Sequence, residues 1–481
     1  MSQRTFRTFN PTNNTFNTHN FSVYTEEQVK VLLHNAMEAQ VILDQESDEK
    51  ISGFLLVIKE KLTEVFEELK IIYCQESGLG ETRFKREFER TIGQLVLFSN
   101  YLKSKAYQSE TVFKEEIADK IYTKKKIGIG PVLILGASNF PLAYSTIGGD
   151  SVAALASKNP IIVKAHPFHV GTSSLVAKII DAAVLETGLP IGTFSHVIDD
   201  GFELATYLAS HDAIKAIGFT GSQKGGEALL KLSGKRKSPI PVFAEMGSSN
   251  PVIILNSYLN EGDPSLAKKI AASVCTDAGQ FCTKPGMLFI PKNIAGIKLS
   301  EEIKEEILNF PDHPMLHPNI QTNFEKSVER IQRSFGETTF SQQEDQLQGT
   351  KQIPKKSILI TSIDSLSAHS FLEEEVFGPH LSIFYFREVS ELTIALKQLR
   401  GQLTFSVFSS KKEPLLQSLT HIGTSLAGRV LFNDLPTGVA VCASMHHGGP
   451  YPASSDSRFT AVGTDSIKRF QRSVTIQHFR I

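Results

Sequence analysis

Hydrophobic and polar residues recur with a helical period through the first hundred residues. A helix is expected to begin after Thr25, because the sequence T-E-E-Q lets Gln28 reach back in a capping box. The hydrophobic positions that follow fall mainly on one helix face: Val29, Leu32, Leu33, Ala36 and Leu43. Similar periods continue through residues 51–73 and 87–103, so the chain is predicted to begin with a group of amphipathic helices.

From about residue 131 the pattern changes to short hydrophobic runs separated by helical segments. The first runs are VLILG (132–136) and IIVKA (161–165), and a helix-period segment after them ends near Gly188 and Pro190. After residue 246 the strand candidates are VIIL (252–255), MLFI (287–290), SILIT (357–361), LSIFYF (381–386) and RVLFN (429–433). This alternation indicates parallel sheets, and we predict an α/β fold with two sheet-containing domains.

Two later segments differ from this rhythm. The polar stretch FSQQEDQLQGTKQIPKK (340–356) is predicted to be a surface loop. The final SVTIQHF (473–479) alternates like an exposed strand. Because an unpaired strand edge promotes aggregation, we expect this strand to join a subunit interface.

Composition and charge exclude several classes of function. The chain has 481 residues and is 41% hydrophobic, which is ample for more than one core. Lys and Arg number 50 against 51 Asp and Glu, without a long basic block, so neither nucleic acid nor an anionic membrane is an expected partner. No hydrophobic run approaches the roughly 18 residues of a spanning helix, and residues 1–20 lack the hydrophobic region of a signal peptide. A cytoplasmic location is therefore expected.

One of the four cysteines stands in an unusual setting. Cys74, Cys275, Cys282 and Cys442 are scattered and form no C-x-x-C pair, which argues against disulfides and a zinc ribbon. Cys282 lies in DAGQFCTKPG (277–286), which is too polar for a core, and Gly279 leaves the backbone room beside it. An accessible thiolate in such surroundings can act as a nucleophile, although these residues alone favour a structural cysteine.

Three other segments carry candidate chemistry. In ILGASNFPLAY (134–144), Asn139 follows a predicted strand and either donates to an oxyanion or forms an Asx-type turn. In PVFAEMGSSNPVII (241–254), Glu245 is either an exposed strand end or an acid–base group. In AIGFTGSQKGGEALL (216–230), glycines around Ser222 precede a helix, which suits either an approaching pyrophosphate or an ordinary turn.

Together, and in this order, these segments resemble the aldehyde dehydrogenase superfamily. The most specific motifs are FTGS (219–222), FAEMGSSNP (243–251), GQFCT (279–283) and EEVFGP (374–379), and the resemblance runs from FNPTNN (9–14) to the final strand. It implies a Rossmann-type cofactor-binding domain at 1–108 and 129–245 and a second α/β, catalytic domain at 246–445. Residues 109–128 and 446–481 are expected to form a small bridging and oligomerisation element.

The resemblance implies a covalent mechanism. Cys282 is expected to attack the aldehyde carbon, while the Asn139 side chain and the Cys282 backbone N–H hold the oxyanion. Glu245 is expected to activate the water that hydrolyses the thioester, and it is also a candidate to take the thiol proton at the start. Superfamily members that pass the acyl group to CoA or phosphate generally lack the glutamate that corresponds to Glu245, so its presence favours hydrolysis.

The resemblance also implies a nicotinamide cofactor site. Lys164 matches the position that binds the adenosine ribose, Glu375 matches the one that binds the nicotinamide ribose, and Phe377 is expected to line the ring. The positions expected beside the pyrophosphate are Gly221, Ser222 and Gly225.

The cofactor is predicted to be NADP, with NAD as the alternative. NAD-preferring members usually carry an acidic residue three positions after the matching lysine, and this chain has Pro167 there. With Lys164, His166 and His169 nearby, the site is expected to accept a 2′-phosphate.

The C-terminal segment 443–477 resembles one subgroup, the α-ketoglutaric semialdehyde (2,5-dioxovalerate) dehydrogenases. This implies oxidation of 2,5-dioxopentanoate, whose distal carboxylate needs a cation. Arg458 and Arg90 are the candidates, although Arg458 can equally cap a turn or pair across an interface. His446 and His447 lack a third ligand, so no metal is expected, and they are predicted to shape the loop over the substrate tunnel.

Alternatives remain open for the substrate and for the class of protein. A long-chain fatty aldehyde is the main rival to the dioxo acid as the small-molecule partner. A catalytically silent binding or structural protein is the rival of another class, although the joint presence of Asn139, Glu245 and Cys282 argues against it. The superfamily pairs a hairpin like 109–128 with the C-terminal strand across a dimer, so a homodimer or homotetramer is expected.

Overall fold

The computed structural model describes residues 4–117, 119–336, 340–342 and 353–479. Its main sheets are parallel and carry helices on both faces, which confirms the predicted α/β class. The strands of the described residues are β1 Thr5–Phe6, β2 Phe9–Asn10, β3 Thr15–Phe16, β4 Phe21–Ser22, β5 Val112–Ile117, β6 Lys120–Gly128, β7 Val132–Leu135, β8 Ile161–Lys164, β9 Phe194–Val197, β10 Ala216–Thr220, β11 Val242–Glu245, β12 Val252–Ile254, β13 Met287–Pro291, β14 Phe340–Gln342, β15 Ser357–Ser362, β16 His380–Phe386, β17 Gln402–Phe408, β18 Ala427–Phe432 and β19 Gln471–Phe479.

The helices occupy the chain between these strands and most of its first hundred residues. They are α1 Glu26–Leu43, α2 Asp48–Glu64, α3 Phe66–Ser77, α4 Glu81–Leu102, α5 Lys105–Thr111, α6 Gly149–Ala156, α7 Val170–Glu186, α8 Glu203–Ser210, α9 Gln223–Gly234, α10 Asn256–Glu261, α11 Leu266–Cys275, α12 Ile294–Leu308, α13 Pro318–Phe335, α14 Asp364–Ala368, α15 Val389–Gln398 and α16 Leu416–Leu426. Short 3₁₀ helices lie at Thr276–Gly279, Ser370–Glu373 and Thr464–Phe470. The described residues contain no helix with both the length and the apolar character that a membrane span requires.

The predicted N-terminal helices are present, and one of them later contributes to the site. The capping box between Thr25 and Gln28 forms at the start of α1 as expected. In α4 the side chains of Phe84, Leu95 and Phe98 are completely buried, and the helix packs against α2 and α6. This burial fixes the rotation of α4, and with it the positions of the arginines on its other face.

The five-stranded parallel sheet has the order β11-β10-β7-β8-β9. Its strands leave β7 in both directions, so the strand order switches between β7 and β10. Ligands bind at the carboxyl ends of the strands beside such a switch point. Asn139 follows β7 there, and Glu245 is the last residue of β11.

The seven-stranded sheet has the order β14-β15-β16-β13-β12-β17-β18, with β14 alone antiparallel. Sequence reasoning missed β17, although all seven of its residues are buried. Its alternating polar residues obscured the strand, because buried polar side chains are usually hydrogen-bonded and the sequence does not show their partners. Gln402 meets that condition, since its Oε1 accepts from the backbone N–H groups of Ser249 and Asn250.

The third sheet, β19-β6-β5, corrects one prediction and leaves another open. Strand β19 pairs with β6 along its whole length within one chain, from Gln471↔Gly128 to Phe479↔Lys120, so the pairing predicted across a dimer is intramolecular. Its place in a subunit interface stays a prediction, as does the division into domains. The predicted loop 340–356 is wrong at Phe340–Gln342, which forms β14, and residues 343–352 lie outside the described residues.

Candidate active site

Two cavities meet at Cys282. The narrow cavity, of about 300 Å³, lies at the carboxyl edge of the five-stranded sheet. The wide cavity, of about 1100 Å³, lies beside α4. Four residues line both of them: Phe140, Tyr144, Cys282 and His447. A thiol at this junction is accessible from both sides.

The backbone before Cys282 turns sharply. Asp277, Ala278 and Gly279 all have left-handed φ angles, of 51°, 55° and 66°. A Cβ at Gly279 would lie 2.6 Å from the carbonyl oxygens of Gly378 and Val274, so only glycine fits the turn. The room beside Cys282 that the sequence suggested is thus required by the turn itself.

Side chains hold this loop on both sides of the cysteine. Before it, the Asp277 carboxylate accepts a hydrogen bond from Arg83 Nε at 3.0 Å. After it, Asn250 Nδ2 donates to the carbonyl oxygens of Cys282 at 2.8 Å and Lys284 at 2.9 Å. The position of the thiol is therefore fixed by side chains from two separate segments, α4 and the chain after β11.

Asn139 is buried in the wall of the narrow cavity. Its Nδ2 donates one hydrogen bond, to Gln280 O at 2.8 Å, and Arg83 Nη2 donates to its backbone carbonyl at 3.2 Å. Within the described residues, neither the second amide hydrogen of Asn139 nor the backbone N–H of Cys282 has an acceptor. Two donors are thus available beside the thiol.

A hydrogen-bonded chain connects Glu245, His447 and Cys282. Glu245 Oε2 lies 3.0 Å from His447 Nδ1, and His447 Nε2 lies 3.8 Å from Cys282 Sγ. Both Glu245 and His447 are buried. Burial opposes protonation of the imidazole, but Tyr144, Cys282 and Glu245 together raise the pKa of His447 well above 6.5. Sequence reasoning noticed the His-His pair but missed this chain, because His447 is 202 residues from Glu245 and 165 residues from Cys282.

Comparison with known proteins decides the family. The aldehyde dehydrogenase family model matches residues 1–473. The chain belongs to the aldehyde dehydrogenase family. It is 35% identical over 467 residues to the alpha-ketoglutaric semialdehyde dehydrogenase of Acinetobacter baylyi, covering 95% of this chain and 88% of that one. It is also 35% identical over 444 residues to alpha-ketoglutaric semialdehyde dehydrogenase 2 of Azospirillum brasilense, covering 89% and 82%.

A solved structure shares the fold. Glyceraldehyde-3-phosphate dehydrogenase from Methanocaldococcus jannaschii, solved in complex with NADP, superimposes with a TM-score of 0.84 at 19% identity and full coverage of both chains. The protein is an NAD(P)-dependent oxidoreductase that acts on aldehydes, as the sequence resemblance implied.

The narrow cavity of this aldehyde dehydrogenase gathers most of the residues expected at the reacting end of the cofactor. They are Asn139, Gly221, Ser222, Glu245, Glu375 and Phe377. A Cβ at Gly247 would lie 2.2 Å from Glu375 Oε2, so a glycine is needed for that carboxylate to enter the cavity wall. Burial raises the pKa of Glu375 to about 7, and nearby Lys284 opposes the rise. These residues fit a nicotinamide ribose, because the Glu375 carboxylate can accept hydrogen bonds from the ribose hydroxyls.

The glycine-rich turn after β10 has a structural use in addition to the one expected. Ser222 is the N-cap of α9, and its Oγ accepts from Gly225 N–H at 3.2 Å. The Phe219 ring packs over Gly221 and Gly225, where added Cβ atoms would lie 2.6 and 2.8 Å from its edge. The helix N-terminus still faces the narrow cavity through Ser222, which suits an anionic pyrophosphate.

The environment of Lys164 is more acidic than the sequence suggested. Its Nζ donates to Gly201 O at 3.1 Å, and the nearby carboxylates of Asp199 and Asp200 oppose the lowering of its pKa by burial. Arg4 pairs with the same two carboxylates, at 3.2 and 2.6 Å.

Histidine charge does not support the NADP prediction. Burial lowers the pKa of His166 well below 6.5, with His169 and Lys164 adding to the effect, and burial lowers the pKa of His169 to about 4. Both rings are therefore neutral near pH 7 and offer no positive charge to a 2′-phosphate. Of the three basic groups cited for NADP, Lys164 remains.

The two arginines predicted for substrate binding lie in different surroundings. Arg90 lines the wide cavity, and its Nη2 donates to the Tyr144 hydroxyl at 2.7 Å. Arg458 is 78% exposed and pairs with Asp456, with 2.5 Å between Nη2 and Oδ2. The structure does not bring Arg458 to either cavity, because the adjacent carboxylate holds its guanidinium at the surface. Tyr144 is a site residue that sequence reasoning did not identify.

The described residues contain no group of three or more His, Cys, Asp or Glu side chains arranged to bind a metal. His447 instead uses both ring nitrogens for Glu245 and Cys282.

Proposed function

We propose that the protein oxidises 2,5-dioxopentanoate to 2-oxoglutarate with NADP. The relatives at 35% identity are named for this aldehyde, α-ketoglutaric semialdehyde. The structural observation that carries the proposal is the state of Arg90 in the wide cavity. The Arg90 guanidinium has N–H donors without acceptors among the described residues, and it lines the cavity that opens on Cys282.

The Arg90 guanidinium has five N–H donors. One Nη1 hydrogen reaches Val439 O at 3.0 Å, and one Nη2 hydrogen reaches the Tyr144 hydroxyl. In the described part of the chain, the buried Nε has no acceptor. The second hydrogens of Nη1 and Nη2 also have no acceptor among the described residues, and a substrate carboxylate in the wide cavity would accept from them. Tyr144 accepts from Arg90, and its own proton, without an acceptor among the described residues, suits the neighbouring ketone oxygen.

The reaction begins with Cys282 Sγ, which attacks the aldehyde carbon and pushes the carbonyl electron pair onto oxygen. The Asn139 amide and the Cys282 backbone N–H, the two donors without acceptors, hold the oxyanion. Ser222, Glu375 and Phe377 would hold the nicotinamide cofactor in the narrow cavity, where it would supply the hydride acceptor when bound. Glu245 then takes a proton from the water that attacks the thioester, and the carboxylate product leaves.

Two residues support NADP. Pro167 stands three positions after Lys164, where NAD-preferring members usually carry an acidic residue, and Lys164 itself is a cation. Arg4 offsets Asp199 and Asp200, the acidic neighbours of Lys164. The preference rests on these residues, and NAD remains the competing cofactor in the test.

Assembly into a homodimer or homotetramer is supported by the edge strand β5. Its Val112, Phe113 and Ile117 are exposed hydrophobic residues on an edge of the third sheet that pairs with no other strand among the described residues. Light scattering should show a mass of at least two chains.

One observation favours a second substrate. The wide cavity of about 1100 Å³ is far larger than a five-carbon acid requires. Much of its wall is apolar, including Val96, Leu97, Leu435 and Val441. Oxidation of a long-chain aldehyde is therefore the second candidate.

The experiment compares kcat/KM for 2,5-dioxopentanoate, succinic semialdehyde and a long-chain aldehyde, each with NADP and with NAD. The proposal expects the dioxo acid with NADP to give the highest value. A higher kcat/KM for the long-chain aldehyde would make that aldehyde the substrate in place of the dioxo acid. A higher kcat/KM with NAD would overturn the cofactor assignment.

A further inference from the structure

His447 has the geometry of a base for the nucleophile. A carboxylate oxygen accepts and does not donate, so the 3.0 Å contact with Glu245 places the hydrogen of the neutral ring on Nδ1. Nε2 then carries the lone pair, and it is the atom that lies 3.8 Å from Cys282 Sγ. The tautomer that Glu245 selects is therefore the one that can accept the thiol proton.

The backbone fixes the ring independently of these contacts. The His447 N–H donates to Thr460 Oγ1 at 2.9 Å, and Ala461 N–H donates to His447 O at 2.8 Å. The side chain is 6% exposed, so water does not compete for Nε2 from a bulk surface. Loop shaping, the role that the sequence suggested, needs only these backbone bonds and leaves the alignment of both ring nitrogens unexplained.

We propose that His447 is a further catalytic residue, the base that takes the proton of the Cys282 thiol, with Glu245 orienting its ring. The S–H proton passes to Nε2 before attack, which leaves a thiolate beside an imidazolium; the thiolate electron pair then forms the S–C bond, and the carbonyl pair moves to oxygen. When the S–C bond of the thioester later breaks, its electron pair returns to sulfur and His447 returns the proton. Glu245 receives only the proton of the attacking water, so each proton has one acceptor.

Several groups surround His447 and Cys282 and influence the protonation of His447. Burial lowers and Tyr144, Cys282 and Glu245 raise the pKa of His447, and Arg90 approaches through Tyr144. Arg429 interacts electrostatically with Cys282, and its own pKa is lowered by burial. A protonated His447 also stabilises the thiolate, because the two groups then carry opposite charges.

The test is the pH dependence of Cys282 alkylation by iodoacetamide, followed by mass spectrometry of the Cys282 peptide. The variants are His447→Asn and His447→Gln, and the matched control is His446→Asn, since His446 makes no contact with Sγ. In the wild type, half-maximal alkylation is expected at a lower pH than in either His447 variant. Both His447 variants should shift it up toward about 8.5, the range of an isolated thiol, with a loss at pH 7 of at least about 10-fold. His446→Asn should follow the wild type.

Equal slowing at every pH in the His447 variants would mean a structural role and would overturn the proposal, as would an unshifted profile. The same shift in His446→Asn would also overturn it. Because alkylation needs neither aldehyde nor turnover, its outcome is separate from the proposed function on which the inference rests. That function fails if Cys282 proves dispensable for turnover, whatever the alkylation profile shows.

Discussion

The two cavities that meet at Cys282 are built in different ways. The narrow cavity is lined by side chains that stand in short motifs beside strand ends, such as Asn139 after β7 and Glu245 at the end of β11. The wide cavity takes its wall from segments that are far apart in the sequence, including α4 and residues 434–441. From this difference we infer that the narrow cavity would serve the reaction itself and that the wide cavity would select the aldehyde. Variants on the narrow side should affect all aldehydes alike, and variants on the wide side should discriminate among them.

Cys282 belongs to both cavities, and its loss should have the largest effect. Cys282→Ala removes the only atom proposed to form a covalent bond with the substrate. The value of kcat should therefore fall by at least about 10⁴-fold for every aldehyde. NADP⁺ affinity, measured by fluorescence titration, should stay within about twofold, because the thiol makes no proposed cofactor contact. Substantial residual turnover would show that Cys282 is not the nucleophile. The reaction would then not take place where the two cavities meet.

Glu245→Gln tests the narrow side one step later in the reaction. The amide oxygen of Gln can still accept from His447 Nδ1–H, so the first turnover should proceed and give a burst of NADPH in stopped-flow absorbance. Steady-state turnover should then fall by about 10²- to 10⁴-fold, because no carboxylate remains to take the water proton. The loss should be the same for charged and uncharged aldehydes. Absence of the burst would mean that the negative charge of Glu245 is needed before hydride transfer.

Arg90→Ala tests the wide side. A charge-assisted hydrogen bond contributes about 1.5–3 kcal/mol, so KM for 2,5-dioxopentanoate should rise by roughly 10- to 100-fold. KM for an uncharged aldehyde of similar length should change little. Arg90→Lys serves as a folding control that keeps the charge but loses the planar fork. Equal weakening of both aldehydes would show that Arg90 supports Tyr144 and does not read the carboxylate.

The same contrast between the cavities limits what the sequence could predict. The parallel sheets, the N-terminal helices and the loop carrying Cys282 follow from local patterns and motifs. The partnership of His447 with Glu245 and the role of Tyr144 beside Arg90 depend on contacts between distant segments, which no local pattern encodes. The prediction that Arg458 lies at the substrate cavity was wrong for the same reason. The path of the chain after His447 cannot be inferred from its residue types.

The pH dependence of cofactor binding sharpens the account of the narrow side. Because burial raises the pKa of Glu375 to about 7, the carboxyl is protonated below that pH and ionised above it. The ionised form accepts ribose hydroxyls more strongly, so KM for NADP⁺ should fall by about 3- to 10-fold between pH 6 and pH 8. Glu375→Gln should remove this slope, while the KM for the aldehyde keeps its own pH dependence. A variant with the wild-type slope would assign the titration to another group.

Arg458→Ala should have the smallest effect, and it completes the test of the wide side as the partner of Arg90→Ala. The Arg458 side chain is 78% exposed and pairs with Asp456, its neighbour two residues away, outside both cavities. Such a surface pair is screened by solvent, so KM and kcat for 2,5-dioxopentanoate should each stay within about twofold of the wild type. Steady-state kinetics of the two arginine variants with the charged and the uncharged aldehyde provide the measurement. If Arg458→Ala raised KM for the dioxo acid alone while Arg90→Ala did not, the carboxylate would be read at the segment after His447, and the wide cavity would not be where the substrate is chosen.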